Sequence, residues 1–551
     1  MRIAVAFKAV PDSQDVQVAS DRTLDFSKAK LTISEYDKNA IEAGARVAAA
    51  SGGETVAVTV GGSDIDNSKL KKDVLARGMD RLVMLADDAL AGLDAAATAS
   101  ALAGALSKAG DVDLVLCGDG SADDYAQQVD VQLAEKLGWP VVTAAAQVEV
   151  NGATAVIVRA LEDCTETVEV ELPAVVSVTP DAAEPRIPGM KDILAAGKKP
   201  MEVSAADGPC ERALETVECL APEQAARKQE IVDAADDGAI EKLAAAIKAA
   251  LEGRKVLNMK ALVIAEHADV ARELAGGARG LGADEVSLVC FGGAVDNAAD
   301  TVLNVAVPEG ALVDDAYLAL VPFAEQSDVV LVEATRRGKV IAGRLAAKMG
   351  TAAATATVAL TQDGARGTYF GGVAERVQKP SAGTAVYLVA AGVCDAAQAS
   401  GAGEAVDVAW VAPERAAKAT AVEPRERTAA DPTKSDVVVA AGRGFAEEAD
   451  LDLARALADK LGGAIACSRP LTEGVNWLPT ELYVGVSGLT VTPKVYVAAG
   501  ISGQMQHMVG ANRSGCVVAV NKDKNAPVFK QCDFGIVGDV KEVLPALTAA
   551  L

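Results

Sequence analysis

One layout occurs twice in this chain, and that repetition limits the folds open to it. Residues 111–140, DVDLVLCGDGSADDYAQQVDVQLAEKLGWP, and 327–351, SDVVLVEATRRGKVIAGRLAAKMGT, share an order: Asp-Val, apolar strand, polar loop, small-residue helix, Leu/Met-Gly stop. RGMDRLVML at 77–85 likewise echoes RGLGADEVSLV at 279–289. Strands that alternate with helices are covered on both faces, and the sheet they build is parallel and doubly wound. The rest of the first repeat fits this scheme. Met1–Val10, Glu54–Gly62, Arg81–Asp87 and Asp111–Gly120 read as strands, while Asp37–Gly53, a stretch ending at Gly78, Asp94–Ala109 and Asp130–Gly138 read as helices. The expected fold class is α/β, with two related doubly wound parallel-sheet domains in tandem and a further α/β domain after them.

The expected boundaries are 1–200 for the first repeat, 258–425 for the second and 435–551 for the last domain. Residues 201–257 form an acidic linker that includes a surface helix over Ile231–Leu251, and Ala412–Lys434 reads as a Pro-, Arg- and Glu-rich connector. Val141–Val178 reads as antiparallel edge strands. Pro180–Pro200 is Pro/Gly-rich and offers Met190, Ile193 and Leu194 in a short amphipathic segment, either as a plain linker or as an exposed docking loop.

Aromatic residues make up only 3% of the chain, so the core rests on Ala, Val and Leu. A formal net charge of −25 argues against nucleic acid or an anionic membrane as partner. The nine cysteines form no CxxC and no Cys/His cluster, which excludes zinc and iron–sulfur readings and suits a reducing compartment. The chain opens directly on a strand with no secretory pattern, and no apolar run reaches the ~20 residues of a membrane span. A cytoplasmic protein without direct membrane insertion is expected.

The last domain carries the richest candidate site. KVYVAAG (Lys494–Gly500) is a buried strand running into a Gly turn, and Ser502-Gly503 reads as a helix start. Gln506 and His507 follow, placed to point back towards the same opening; a core histidine bonded to a carbonyl is the competing reading for His507. SDVVVAAGRGF (Ser435–Phe445), Ala464–Arg469, VGVSGL, CVVAVNKDKNAPVF and CDFGIVGD are further strands that each leave a polar turn. Five such turns make a Gly-lined rim suited to a large dinucleotide. No Ser–His–Asp set, paired catalytic carboxylates, HExxH, Walker loop or first-strand GxGxxG is present. Arg469, the helix start and one imidazole remain, and together they stabilise negative charge on a bound group. A second candidate loop, Gly118–Asp130, follows a strand of the first repeat. Its Gly and Ser residues would admit a phosphate, whereas its Asp residues repel one.

These same residues resemble electron-transfer flavoprotein. Residues 435–551 look like the FAD domain of its alpha subunit, through VVVAAGRGF, ACSR, VGVSG, GISGQMQH, AVNKD and CDFGIVGD in the family's order. Residues 1–200 look like its beta subunit, from FKAVPDSQD through EYDKNAIE and LGWP to EPRIPGMKDILAAGKK. The chain thus resembles beta and alpha subunits fused head to tail, with the joint near Leu251–Lys260. The resemblance implies FAD in the C-terminal domain. Arg469 would lie over the flavin with Ser468 beside it, Ser487 near N5 and His507 by the C2 carbonyl; Arg469, Ser487 and His507 would be the redox-active set. Arg443, Gly500, Ser502, Gly503 and Gln506 would line the phosphate–ribityl side, and Asn521 and Asp533 the adenosine end. Val486 replaces a family glutamine.

For the first repeat, the resemblance implies AMP, or in electron-bifurcating members a second FAD, held by Ser121, Asp123, Gln128 and Val129. Tyr125, Ala126 and Asp130 depart from the family pattern. Met190, with Ile193 and Leu194, takes the place of the loop that docks acyl-CoA dehydrogenases. The implied role is a redox shuttle of the fatty acid beta-oxidation type. It accepts electrons from a dehydrogenase and passes them to a quinone-linked oxidoreductase or another acceptor, without a substrate site of its own. The alternatives are an enzyme that bifurcates electrons from NADH, and a nucleotide-sensing or structural tandem α/β protein.

Overall fold

The computed structural model describes residues 1–221, 259–361, 363–424, 431–485 and 488–551. The helix expected at Ile231–Leu251, and the joint near Leu251–Lys260 as far as residue 258, lie outside the described residues. Two compact units divide the chain: Met1–Tyr369 with Ala374–Pro424, and Phe370–Val373 with Arg425–Leu551.

In the first unit the repeat opens with strands β1 (Arg2–Ala6), β2 (Glu54–Gly61), β3 (Arg81–Ala86) and β4 (Leu114–Gly118). They alternate with helices α1 (Glu35–Ser51), α2 (Ser68–Ala76), α3 (Ala95–Ala109) and α4 (Val129–Leu137). Asp94 starts α3 by accepting the Ala97 N–H, and Gly138 ends α4 in the left-handed conformation. The buried face of α3 is Ala97, Ala99, Ala101, Leu102, Ala105, Leu106 and Ala109, small enough for the helix to lie close on the sheet. Strands β5 (Val141–Asn151), β6 (Thr154–Ala160) and β7 (Cys164–Glu171) then form an antiparallel meander. β8 (Ala174–Val178) departs from the expected edge arrangement. All five of its residues are buried, and it returns to the sheet interior, parallel to both β4 and β5.

After helix α5 (Met190–Ala196) come β9 (Met201–Ser204) and β10 (Leu214–Leu220). The second repeat contains β11 (Met259–Ala265), α6 (Ala268–Leu281), β12 (Ala283–Cys290), β13 (Thr301–Val305), α7 (Tyr317–Ala324), β14 (Val329–Glu333) and α8 (Arg336–Lys348). It ends with β15 (Ala353–Thr361), β16 (Gly364–Tyr369), β17 (Ala374–Pro380), β18 (Ala385–Val389), β19 (Glu404–Val408) and β20 (Lys418–Pro424).

The sheet orders establish the duplication. The first is β9-β3-β2-β1-β4-β8-β5-β6-β7-β20; the second, read from its far edge, is β19-β13-β12-β11-β14-β18-β15-β16-β17-β10. Every position matches, with one twist at the end. The outermost strand of each sheet comes from the other repeat: β20 pairs antiparallel with β7, and β10 with β17. The regions read as linker and connector therefore contain strands. β20 is exposed along most of its length and β10 has a single buried residue, so both lack the apolar run that marks a sheet strand. This exchange also explains why the two expected repeats share one compact unit.

Buried ion pairs tie the repeats together. Arg159 on β6 is 1% exposed and reaches Glu166 Oε2 at 2.6 Å and Asp314 Oδ2 of the second repeat at 2.6 Å. Arg344 on α8 holds Asp315 at 2.6 Å and Glu135 on α4 at 3.3 Å, and stacks over the Tyr317 ring at 4.1 Å. Burial pushes the Glu166 carboxyl up, but Arg159 and Arg337 outweigh it and hold the group below its ordinary value. Replacing Arg159 with Met leaves Asp314 buried without its cation. That change should lower the unfolding free energy of this unit by about 3–5 kcal/mol in a urea titration. A loss under about 1 kcal/mol would show that the pair is energetically idle.

Candidate functional site

In the C-terminal unit β21 (Val437–Ala441), β22 (Ala464–Cys467), β23 (Val495–Ala499), β24 (Cys516–Asn521) and β25 (Phe534–Val537) form one parallel sheet, in the order β22-β21-β23-β24-β25. Helices α9 (Leu451–Lys460) and α11 (Val540–Ala550) belong to it, and α10 (Met505–Met508) is a single turn. The order reverses between β21 and β23, and open α/β sheets have a crevice outside the carboxyl ends of the strands at such a point.

The two turns at this crevice press backbone against backbone. Gly442 N–H donates to the Ala499 carbonyl at 2.9 Å, and Gly444 N–H to the Gly500 carbonyl at 2.9 Å. Gly500 sits at φ +63°, and a Cβ there would lie 2.9 Å from Gly444 Cα. A Cβ on Gly444 would lie 2.5 Å from Gly500 Cα, so neither position accepts a side chain.

Around the turns stand Arg443 and Arg469, both exposed, with half-buried Ser468 and exposed Ser502. Ser468 N–H bonds the Ala441 carbonyl at 2.9 Å, which fixes the β22 turn beside β21. Asn521 Nδ2 donates to the Ile501 carbonyl at 2.9 Å. Buried Gly503 is held by Gln531, a residue the sequence reading did not single out, whose Nε2 donates to the Gly503 carbonyl at 2.7 Å.

Other expectations change. Of VGVSGL, Val484 and Leu489 make only an isolated bridge, and Val486 and Ser487 lie outside the described residues. Ala464–Cys467 supplies the fifth strand. The helix expected from Ser502-Gly503 starts only at Met505 and lasts one turn. Asp533 lies at the amino end of β25, where Oδ2 accepts the Val517 N–H at 2.7 Å, so it is not brought to the rim. The acid at the rim is Asp539, six residues further along the same CDFGIVGD motif, which caps α11 by accepting the Lys541 N–H at 2.9 Å.

Gln506 is exposed, but His507 turns inward and is 8% exposed. Its Nε2 lies 2.8 Å from the Tyr496 hydroxyl, and its buried Nδ1 makes no hydrogen bond of good geometry. Burial lowers the imidazole pKa to about 4, against a smaller opposing pull from the Val484 carbonyl. His507 is therefore neutral at pH 7.

The Gly118–Asp130 loop of the first unit has its charges satisfied from within. Asp123 receives Lys8 Nζ at 2.6 Å, and Asp124 receives Arg376 at 2.5 Å. Burial raises Asp123, but the Lys8 charge and hydrogen bond prevail and keep its pKa low. Burial pushes Asp37 up to about 7 and Asp130 up to about 6. Tyr125 covers Gly120, donates its hydroxyl to Asp119 at 3.1 Å and packs on Tyr36 with ring centroids 4.8 Å apart. Gln128 is buried and its Nε2 donates to the Lys339 carbonyl at 3.0 Å, while Ser121 and Val129 stay half-buried. Arg336, Arg337 and Lys339 of the second repeat reach the Ala160 carbonyl, Glu166 with Glu266, and Gln127. They tie the repeats together.

The segment before β9 presents its apolar side chains outward: Ile187 is 93% exposed, Met190 74%, Leu194 67% and Ile193 41%. Lys199 is spent on structure, donating to the Leu75 and Met79 carbonyls at 3.0 and 2.7 Å. Among the described residues no group of three or more His, Cys, Asp and Glu could hold a metal ion, and no helix is long and apolar enough to cross a membrane.

Comparison with known proteins agrees with this layout. The family model described as the electron transfer flavoprotein domain matches residues 22–209 and 261–419, one match in each repeat. The electron transfer flavoprotein FAD-binding domain matches residues 431–512. The chain is similar to Protein FixB of Salmonella typhimurium (strain LT2), at 41% identity over 253 residues that span 44% of this chain and 81% of the relative. Protein FixB of Escherichia coli O7:K1 is 43% identical over 229 residues, 40% of this chain and 73% of the relative.

His507 sets a pH dependence. Its folded pKa of about 4 lies below the ordinary 6.5, so between these values the unfolded chain binds the extra proton. Its contribution is whole above pH 6.5 and drains away as pH falls towards 4, by about 3 kcal/mol at most. His507→Gln should flatten the fall in unfolding free energy of the C-terminal unit across that window. Equal slopes in both proteins would place the titration elsewhere.

Proposed function

We propose that this chain, which belongs to the electron transfer flavoprotein family, joins a beta-type and an alpha-type subunit in one polypeptide and shuttles electrons on FAD held in its C-terminal unit. The observation that carries the reading is the Gly444–Gly500 contact at the switch point, together with the FAD-binding match over residues 431–512. The residues present fit the group. Two glycine-lined turns at the switch point suit a pyrophosphate, and two arginines stand at the same rim. Bound FAD would supply the redox chemistry, taking up and releasing electrons between partners.

The protein's part is electrostatic. With His507 neutral, the fixed positive charge available to a ring gaining electrons is that of the rim arginines, and Arg469 is our choice for it. Tyr496 is buried and its phenol pKa is raised well above the ordinary value, so it keeps its proton and can donate it to His507 Nε2. That leaves the Nδ1–H of His507 for a ring carbonyl. Arg443, Ser468, Gly500, Ser502, Gly503 and Gln506 form the phosphate–ribityl side, Asn521 the adenosine end, and Ser487 completes the set near the ring.

In the first repeat the reading is AMP, or a weakly held nucleotide, at Ser121, Asp123, Gln128 and Val129. Its support is the inward satisfaction of the loop's acids and the cover of Tyr125 over Gly120. A second pyrophosphate would have to displace those partners. Extraction of the purified protein should therefore yield one FAD per chain, with AMP at or below one. Two FAD per chain and flavin reduction by NADH alone would place the protein in the bifurcating class. The same preparation of Arg469→Ala should retain FAD and show a lower flavin potential.

The donor is a dehydrogenase of the acyl-CoA type, docking on Ile187, Met190, Ile193 and Leu194, and the acceptor is a quinone-linked or similar oxidoreductase. Large apolar side chains held out by a Pro/Gly-rich loop suit insertion into a partner's pocket. Met190→Ala should raise the donor's apparent KM by about tenfold with FAD content unchanged. Equal KM values would return the segment to a plain linker.

A further inference from the structure

A groove of about 360 Å³ in the first unit lies where the exchanged strand β10 leaves the first repeat for the second sheet. Gly92, Leu93 and Asp94 line it from the start of α3; Arg212 and Thr216 line it from the exchanged segment; Arg376, Gln378 and Ser381 line it from the second repeat. None of these residues belongs to the Gly118–Asp130 loop, although Arg376 pairs with Asp124 of that loop.

Its acids are already committed. Asp94 accepts three backbone N–H groups, from Ala97 at 2.8 Å, Ala213 at 2.5 Å and Leu214 at 2.7 Å. Glu215 pairs with Lys379 at 3.4 Å. The cations are less evenly matched. Arg376 has Asp124, but the guanidinium of Arg212 donates only to the Ala91 carbonyl, at 2.7 Å, and has no carboxylate partner among the described residues. Gln378 adds a second unmet group. It is 7% exposed, it lines the groove, and its side-chain amide makes no hydrogen bond among the described residues. Its amide opens onto the groove, where it is available to a bound group.

We propose that this groove binds a small organic anion with a phosphate or paired-carboxylate end. A planar guanidinium meets either group through two parallel N–H bonds, and the Gln378 amide with the Thr216 hydroxyl supplies neutral donors beside it, while the Ser381 hydroxyl donates to the Arg212 carbonyl at 3.4 Å. In a chain of net charge −25, such a site needs local positive charge, and Arg212 provides it. The ligand bridges the first repeat, the exchanged strand and the second sheet, so binding stabilises their junction.

The test uses the flavin-loaded protein. Inorganic phosphate and succinate are titrated separately by calorimetry at matched ionic strength in chloride, beside Arg212→Gln and Gln378→Leu. Arg212 is exposed, so its replacement leaves the core intact, and an unchanged flavin content checks this. We expect saturable binding of phosphate or succinate, with the tighter of the two identifying the ligand's end group, and a Kd about tenfold or more weaker in Arg212→Gln. Gln378→Leu should weaken it as well. No saturable binding of either anion, or equal binding by wild type and Arg212→Gln, would overturn the proposal.

Discussion

The bare edge of a β-sheet is the constraint on which the first unit depends. Each repeat ends its sheet in an antiparallel meander, and the last strand of that meander, β7 or β17, would present a row of unmet N–H and C=O groups to solvent. The other repeat closes it. β20 pairs with β7 from Cys164 opposite Pro424 to Glu169 opposite Lys418, and β10 pairs with β17 from Leu214 opposite Pro380 to Leu220 opposite Glu375. Neither sheet is finished by its own repeat. The buried pairs of Arg159 and Arg344 add further ties between the repeats.

The duplication also shows two corresponding crevices filled in different ways. In the second repeat the switch point lies between β11 and β14, and there Glu333 accepts the N–H groups of Glu266 and His267 at 2.7 and 3.0 Å and pairs with the His267 ring at 2.6 Å. Arg337 and Thr335 hold Glu266. The carboxyl end of that sheet is filled with its own ion pairs. In the first repeat the corresponding loop carries acids and a tyrosine, held by Lys8 and Arg376. Similar backbones thus support different interiors through a few loop residues.

How much of this could be read from sequence varied with burial. Central strands such as β4 and β14, buried at every residue, matched their apolar runs to within a few positions, as did helices with a clear cap such as Asp94 before α3. The exchanged strands escaped notice because LETVECL has a single buried residue, KATAVEP is largely exposed, and neither carries a core pattern. Their pairing is set by distant residues that no local window contains. At the candidate site the glycine turns were legible, since strand-then-glycine is a local signal. The inward turn of His507 was not, because it depends on Tyr496 lying beneath it on β23. Likewise Asp533 and Asp539 bracket one four-residue strand, and only the direction of β25 decides which of them stands at the rim.

The exchange has a consequence for synthesis on the ribosome. β7 is finished at Glu171, while β20, its only neighbour on that side, begins at Lys418, almost 250 residues later. At ~5–20 residues per second, the outer edge of the first sheet waits roughly 12 to 50 seconds for its partner strand. During that interval a nascent chain carries an open β-edge beside other nascent chains with the same edge. Cross-pairing of two such edges on one message would satisfy the same backbone groups that β20 satisfies in the finished fold. Two exposed glutamates on β7, Glu169 and Glu171, make that error less favourable by mutual repulsion until Lys418 arrives opposite Glu169.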